Sequence, residues 1–416
     1  MAIRIVFLKG SVFWYFKLVM RKYFFPYIAT ILILIVIVAC NSQSEPANAK
    51  PRIPEEKKFG SIKLKYEDTT QPEFRRMVRR LDSFYAIQTR TGFNGSVLVG
   101  YKGKVLYERY YGLANRETGL KLNPNSAVQL ASVSKTFTAA AILWLHQQKY
   151  LNIDEKVQTY LPQMPYPDVT VRMLLCHRSG IPDYIKWVPS FRKDTKTPMT
   201  NADVIAMFAK HRPAMEFRAN SRFKYCNSNY AILASIIEEV IGMSYEDFMR
   251  KYIFDPLGMK NTFAYNPFKG LPYGNTISYK ANWVKEPDMF ADGVLGDKGI
   301  YSTVEDMYRW DQSFYKNTFL SNETIEMAYG PCSFEKPGIK NYGLGWRMLC
   351  YPDGDKIIYH NGWWHGNNTV FYRFIQDNFT IIILGNKYSS SIYRQAPVVY
   401  SILKNTDADK GFDTEG

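Results

Sequence analysis

The chain has 416 residues, 46% hydrophobic and 22% charged, an ordinary globular composition without repeats that allows two to three domains around a substantial core. Its net charge of +15 is scattered rather than blocked and no zinc-finger or other nucleic-acid motif accompanies it, so a polynucleotide partner is not expected. Five histidines with no His-Glu-x-x-His pattern, and cysteines without metal-ligand spacing, leave a metal hydrolase unsupported.

Met20, Arg21 and Lys22 precede an apolar stretch, FFPYIATILILIVIVA, that ends at Cys40. This is a basic segment followed by an apolar one too short for a confident span, as in an export signal. The sequence IVAC resembles a bacterial lipobox, which implies cleavage and lipidation at Cys40 and hence a membrane partner through a lipid anchor. An uncleaved signal anchor is the alternative. Either way the domain is expected outside the cytoplasm, at a periplasmic or cell-surface face. Five Lys/Arg precede Cys40 without an acidic residue, leaving +10 to the exported part. Such a surface favours anionic cell-wall or membrane surroundings.

A polar, proline-bearing tether follows over 40–65. Helical spacing over 72–91 predicts an amphipathic helix, and FNGSVLVGYKGKVLYERYYG predicts a β-hairpin pivoting on Lys102 and Gly103. The run FTAAAILWL reads as a buried helix. VTVRMLLCHRSGIPDY, residues 169–184, reads as a short helix stopped by Ser179 and Gly180, and YAILASIIEEVIG as a longer one closed by Gly242. Toward the C-terminus KIIYHNG, TVFYRFI and FTIIILGNK read as strands separated by turns such as Asp377 and Asn378, and 391–404 as a closing helix. Strands near both ends with helices between them predict one antiparallel sheet flanked by helices, with an inserted all-helical domain, an α/β (α+β) fold. The division expected is a signal peptide over 1–39, the tether, a mixed α/β domain from 66–155 with 290–405, a helical domain over 156–289, and a tail over 406–416. Cys332 and Cys350 are the expected pair if a disulfide forms.

Three stretches carry chemistry. In ASVSKTF, Ser132 opens the buried helix with Lys135 one turn later, so a hydroxyl and an amine share one face. A nucleophilic serine needs its proton removed, and a buried amine is suited to take it; an unfilled N–H at the helix start faces the same spot. The spacing alone is weak, since Ser-x-x-Lys also occurs at Ser190, Ser221, Ser313, Ser333 and Ser401; only Ser132 opens a long apolar helix. Tyr225 and Asn227 form a Tyr-x-Asn just before a helix, where a phenol can relay a proton and an amide can hold a substrate carbonyl. His360, Asn361 and Gly362 form the chain's one His-x-Gly, where a glycine admits substrate backbone and the N–H of Trp363 offers a second oxyanion donor.

These motifs, in this order, resemble the serine β-lactamase and penicillin-binding protein superfamily, in particular its class C β-lactamase and D-Ala-D-Ala carboxypeptidase branch. Residues 169–184 resemble that branch's Leu-Leu-x-His-x-Ser-Gly segment, IFDPLGMKNT its Pro-Leu-Gly-Met turn, and GDKGIYSTVEDMYRW and FTIIILGNK also match. The resemblance spans roughly 75–400. It implies a β-lactamase/transpeptidase-like fold with a cleft between a mixed domain and a helical one. It also implies Ser132 as acylated nucleophile, Lys135 as base or proton shuttle, Tyr225 as relay to the leaving group, Asn227 and His360 beside the scissile bond, and no cofactor. His177 is expected to be a structural hydrogen-bonding residue, and His365 to be near the cleft. The family's third motif usually carries lysine where His360 stands and Thr or Ser where Asn361 stands, and Trp363 and Trp364 crowd the strand edge. These departures favour a small or peptide substrate, such as a D-alanyl peptide, one derived from peptidoglycan included, or a small amide or ester. The alternatives are a β-lactamase or a non-turnover penicillin- or muropeptide-sensing module.

Overall fold

The computed structural model describes residues 60–405 apart from 273, 274 and 317. Cys40, the segment 1–39, the tether as far as 59 and the tail 406–416 lie outside the described residues. Among those described, no helix is long and apolar enough to cross a membrane.

Helix α1, Pro72–Arg90, opens with proline in its first turn, where the missing N–H costs nothing, and buries Leu81 and Tyr85, with Phe74, Met77, Val78 and Phe84 partly buried beside them. Strands β1, Gly95–Tyr101, and β2, Lys104–Tyr111, follow as the expected hairpin. Lys102 and Gly103 both adopt positive φ, +45° and +78°, the two-residue turn whose twist matches that of the flanking strands. Strand β3, Val128–Gln129, leads into a 3-10 turn, Ala131–Val133, and then helix α2, Ser134–Gln147. Every residue of α2 from Ser134 to Leu145 is buried, polar Ser134, Lys135, Thr136 and Thr138 included, and its stretch 139–145 is apolar on all sides.

The middle of the chain supplies helices α3, Val171–Leu175, α4, Asn201–His211, and α5, Asn227–Ile241. Gly242 closes α5 at φ +72°, the left-handed stop that glycine adopts without steric cost. Strand β4, Phe263–Ala264, pairs with β5, Ile300–Ser302, which also pairs with β3. Helix α6, Val304–Tyr315, leads to strands β6, Lys340–Tyr342, β7, Arg347–Cys350, β8, Lys356–Trp364, β9, Asn367–Phe374, and β10, Phe379–Gly385. Helix α7, Gln395–Lys404, completes the chain.

The seven-stranded sheet runs in the order β2-β1-β10-β9-β8-β7-β6 with every neighbouring pair antiparallel. The N-terminal hairpin joins the C-terminal strands through β1 and β10, with Val97 opposite Ile383 and Val99 opposite Ile381. Alternate residues divide between two cores. Leu98, Ile358, Phe371 and Ile382 pack with α2, α5 and α6, while Val97, Val99, Val370 and Ile381 pack with α1 and α7. A sheet buried on both faces explains why residues 381–384 of β10, IIIL, are an unbroken apolar run.

The expected Cys332–Cys350 disulfide is not formed; both are free thiols, as are Cys176 and Cys226. The sheet explains it. Cys332 lies along the outer edge of β6, its N–H donating to Tyr342 O at 3.0 Å, while Cys350 lies in β7 on the other side of that strand. Two strand spacings of roughly 4.8 Å separate them, beyond the reach of a disulfide.

Candidate active site

The serine-bearing turn is held in an unfavourable backbone conformation from three sides. Ala131, immediately before Ser132, has φ +49°, a left-handed value that costs a non-glycine residue energy and persists only where its surroundings impose it. Leu130 N–H donates to Ile300 O at 2.7 Å, and Leu130 O accepts from Thr369 Oγ1 at 2.7 Å. Gly362 of β8 closes the third side. A Cβ there would fall 2.3 Å from both Leu130 O and Thr369 Oγ1, so only glycine lets the strand abut this turn. The result is a half-buried Ser132 aimed into a cleft of about 460 Å3.

Lys135, one helical turn on, is fully buried beneath it. Its Nζ donates to Ser132 Oγ at 3.1 Å, Asn227 Oδ1 at 2.9 Å and Asp297 O at 2.7 Å. All three acceptors are uncharged oxygens. Tyr225, 93 residues away in sequence, donates its hydroxyl to Ser132 Oγ at 2.8 Å and presents its ring to Lys135 Nζ, 5.0 Å from the centroid. The hydroxyl, the amine and the phenol thus meet at one oxygen. Asn227 opens α5, and Asp183 Oδ2 accepts from its backbone N–H at 3.1 Å and its Nδ2 at 3.0 Å. That pins the amide with its oxygen toward Lys135.

Two imidazoles lie behind Tyr225 rather than in the cleft. His177, at φ +56°, accepts through Nδ1 from Cys226 N–H at 3.2 Å, and its ring lies 4.3 Å from that of Tyr225. His360 is completely buried, its Nδ1 2.7 Å from Asn361 O and its Nε2 3.2 Å from the Tyr342 hydroxyl. Burial, reinforced by nearby Lys135 and Arg347, holds both histidines well below the usual imidazole range, so both are neutral. His360 was expected on the wall beside the scissile bond; it lies behind that wall instead. Asn361, Gly362 and Trp363 do line the cleft with Ser132, Tyr225 and Asn227. Asn361 Oδ1 is buried without a partner, and Trp363 is 63% exposed.

Four further residues were not singled out in the sequence. Asp297 supplies the carbonyl that holds Lys135, while its Oδ2 pairs with Lys298 Nζ at 3.0 Å and accepts from the Tyr184 hydroxyl at 3.1 Å. Lys298 lines the cleft and lies 4.6 Å from the Trp364 ring centroid, with its charge already answered by Asp297. Arg347 also lines the cleft, 5.3 Å from the Tyr225 ring centroid, and its Nε is buried without a partner. Asp292 Oδ1 accepts from Trp364 Nε1 at 2.7 Å and pairs with His365 Nε2 at 2.9 Å. Burial opposes ionisation of Asp292, but these bonds and one from Met289 N–H outweigh it and lower its carboxyl below the ordinary value. Only the GDKG stretch signalled any of this in advance, because adjacent Asp and Lys between glycines are suited to a buried ion pair.

Residues 80–398 match the model of the family described as Beta-lactamase. Penicillin-binding protein 4* of Bacillus subtilis (strain 168) is 34% identical over 327 residues, covering 75% of this chain and 72% of that one. Teichoic acid D-alanine hydrolase of Staphylococcus aureus is 26% identical over 336 residues, covering 78% and 77%. The solved penicillin binding protein from Bacillus halodurans superposes with a TM-score of 0.67 at 22% identity, covering 77% of this chain and 97% of that one, a likeness of fold.

Proposed function

The chain belongs to the beta-lactamase family and is a serine hydrolase, and from that premise we propose that it cleaves an amide, peptide or ester bond of a D-alanyl or related D-amino-acid substrate through an acyl-Ser132 intermediate. Ser132 Oγ forms the new bond to the carbonyl carbon while the C–N or C–O bond breaks. The serine proton passes through Lys135 and Tyr225 to the leaving group. Water then delivers its oxygen to the acyl carbon and returns a proton to Ser132. The N–H groups of Ser132 and Trp363 receive the oxyanion, and Asn227 and Asn361 orient the substrate amide or ester. His360 acts as a positioning residue behind Tyr225. The single observation that carries this reading is that Lys135 Nζ and Tyr225 Oη both bond the same oxygen, Ser132 Oγ, at 3.1 and 2.8 Å.

The substrate class follows from charge and from relatives. Arg347 takes over the anionic anchor that a lysine in the third motif would have supplied, and so favours a substrate carrying a carboxylate. Relatives named for D-amino acids, a D-aminopeptidase of Gluconobacter oxydans among them, support the same class. The setting proposed is extracytoplasmic, with lipidation at Cys40. The division proposed for the folded part is a mixed α/β domain over 66–155 with 290–405 and a domain over 156–289 that is helical except for the short strand β4.

Steady-state hydrolysis of a panel comprising a D-Ala-D-Ala peptide, a D-alanine amide, a short-chain ester and a penicillin tests the reading, with Ser132→Ala as control. Turnover of a D-alanyl substrate that vanishes in Ser132→Ala is expected. A burst without turnover would identify a sensing module instead, and turnover confined to the penicillin a β-lactamase.

A further inference from the structure

Arg347 belongs to two cavities. One is the Ser132 cleft; the other is a groove of about 1050 Å3 on the far side of Tyr225, along the β6 edge of the sheet. That groove is lined by five cations, Arg222, Lys224, Lys336, Lys340 and Arg347, against a single carboxylate, Glu335. Glu335 is tied to Arg178, and Lys224 pairs with Glu216 at 2.6 Å, which leaves Arg222, Lys336 and Arg347 as an excess of positive charge that reaches the catalytic cleft through Arg347. Low-dielectric walls lined by one sign of charge concentrate the opposite sign between them.

The chemistry of the occupant is narrowed by what the groove does not offer. An acidic peptide bound along a sheet edge needs free backbone groups to pair with. At Tyr342 of β6 both backbone groups are already engaged, the N–H by Asn341 Oδ1 and the O by Cys332 N–H. Asn341 Oδ1 also accepts from Cys332 N–H at 3.1 Å and Ser333 N–H at 3.0 Å, and Asn341 Nδ2 donates to Ser333 O. A single-stranded nucleic acid needs aromatic faces on which to stack its bases. The groove's rings are turned inward: Tyr342 and Tyr359 are buried, and Phe223 packs against His177 and Tyr342. Point charges remain, and they suit a ligand whose own backbone is charged.

We propose that this groove binds a phosphodiester-linked chain without bases, a polyol phosphate, and that Arg347 passes its pendant groups to the mouth of the Ser132 cleft. Binding in the groove is independent of which bond Ser132 breaks, so it is tested in full-length Ser132→Ala, where turnover cannot interfere. The probe is a fluorescently labelled synthetic oligo(glycerol phosphate), followed by anisotropy at two salt concentrations.

Binding is expected to weaken at least about tenfold between 50 and 200 mM salt, as release of counterions from several phosphates requires. It is expected to weaken at least about tenfold again in Arg222→Glu/Lys336→Glu, which removes cations the mechanism does not use. The same pair of substitutions in the otherwise intact enzyme is expected to leave penicillin acylation of Ser132 unchanged, which also establishes that the variant folds. Binding unaffected by the charge reversals would overturn the proposal. So would equal affinity for an oligo(L-glutamate) of matched charge, which would mark a site for acidic peptides, or for oligo(dT), which would mark one for nucleic acid.

Discussion

Asp183 Oδ2 accepts two hydrogen bonds from one residue, the backbone N–H and the side-chain amide of Asn227, and thereby turns Asn227 Oδ1 toward Lys135 Nζ. Asp183 itself stays at the start of its own short helix, where Oδ1 caps Ile185 N–H. Loss of the carboxylate frees the amide to rotate and to offer Lys135 a donor in place of an acceptor. Asp183→Ala is therefore expected to lower the acylation rate of Ser132 by roughly 10- to 100-fold, the worth of one or two charge-assisted hydrogen bonds. Rapid-quench acylation kinetics measure it, and a double variant with Asn227→Ala should be little worse than the worse single one if the two act as a unit.

Gly362→Ala tests the contact between β8 and the serine-bearing turn. The added Cβ meets a backbone oxygen, Leu130 O, which cannot swing aside as a flexible side chain can. Overpacking of this kind costs about 1–3 kcal/mol. A lowered Tm is expected together with a disproportionate loss of penicillin labelling, because relief of the clash displaces Ala131 and Ser132. Loss of Tm with normal labelling would show that the turn holds its shape without the strand.

Stability is expected to fall with pH below neutrality. His177 and His360 are held neutral by burial, well below the ordinary value of 6.5 they regain on unfolding. Above pH 6.5 neither state binds a proton at these rings, so they contribute no pH dependence there. Below it the unfolded chain takes up protons that the native chain refuses, so each histidine removes up to about 1.4 kcal/mol per pH unit. Urea melts at pH 7 and pH 5 should show the loss, and His360→Asn should shrink it.

Arg347→Gln should separate substrates by charge. The guanidinium lines the cleft with an unpartnered Nε, so its removal is expected to raise KM for a carboxylate-bearing D-Ala-D-Ala peptide by about tenfold or more while changing that for a neutral short-chain ester little. Equal effects on both would assign Arg347 to supporting the Tyr225 ring instead.

Local pattern carries most of the fold. The hairpin at Lys102 and Gly103, the buried α2 and the glycine stop at Gly242 are set by turn chemistry and hydrophobic patterning within short windows. Ser132, Lys135 and Tyr225 were recognisable because two motifs constrain residue type at fixed spacing. The rest depends on distance through space. His360 sits in the third motif yet faces inward, since which face of β8 it takes is decided by packing against Tyr225 and Tyr342 rather than by its own residue type. Arg347 reaches the site from β7 with no motif around it. The absent disulfide failed for the same kind of reason: a strand lies between Cys332 and Cys350, and spacing along the chain does not reveal what intervenes across the sheet.

The central claim is that Ser132 is the atom that carries the acyl group, and peptide-mapped mass spectrometry after brief exposure to a penicillin tests it most directly. The account predicts one adduct per chain on the peptide containing Ser132, greatly slowed in Lys135→Ala and Tyr225→Phe and absent in Ser132→Ala. An adduct that persists in Ser132→Ala, or maps to another residue, would contradict it.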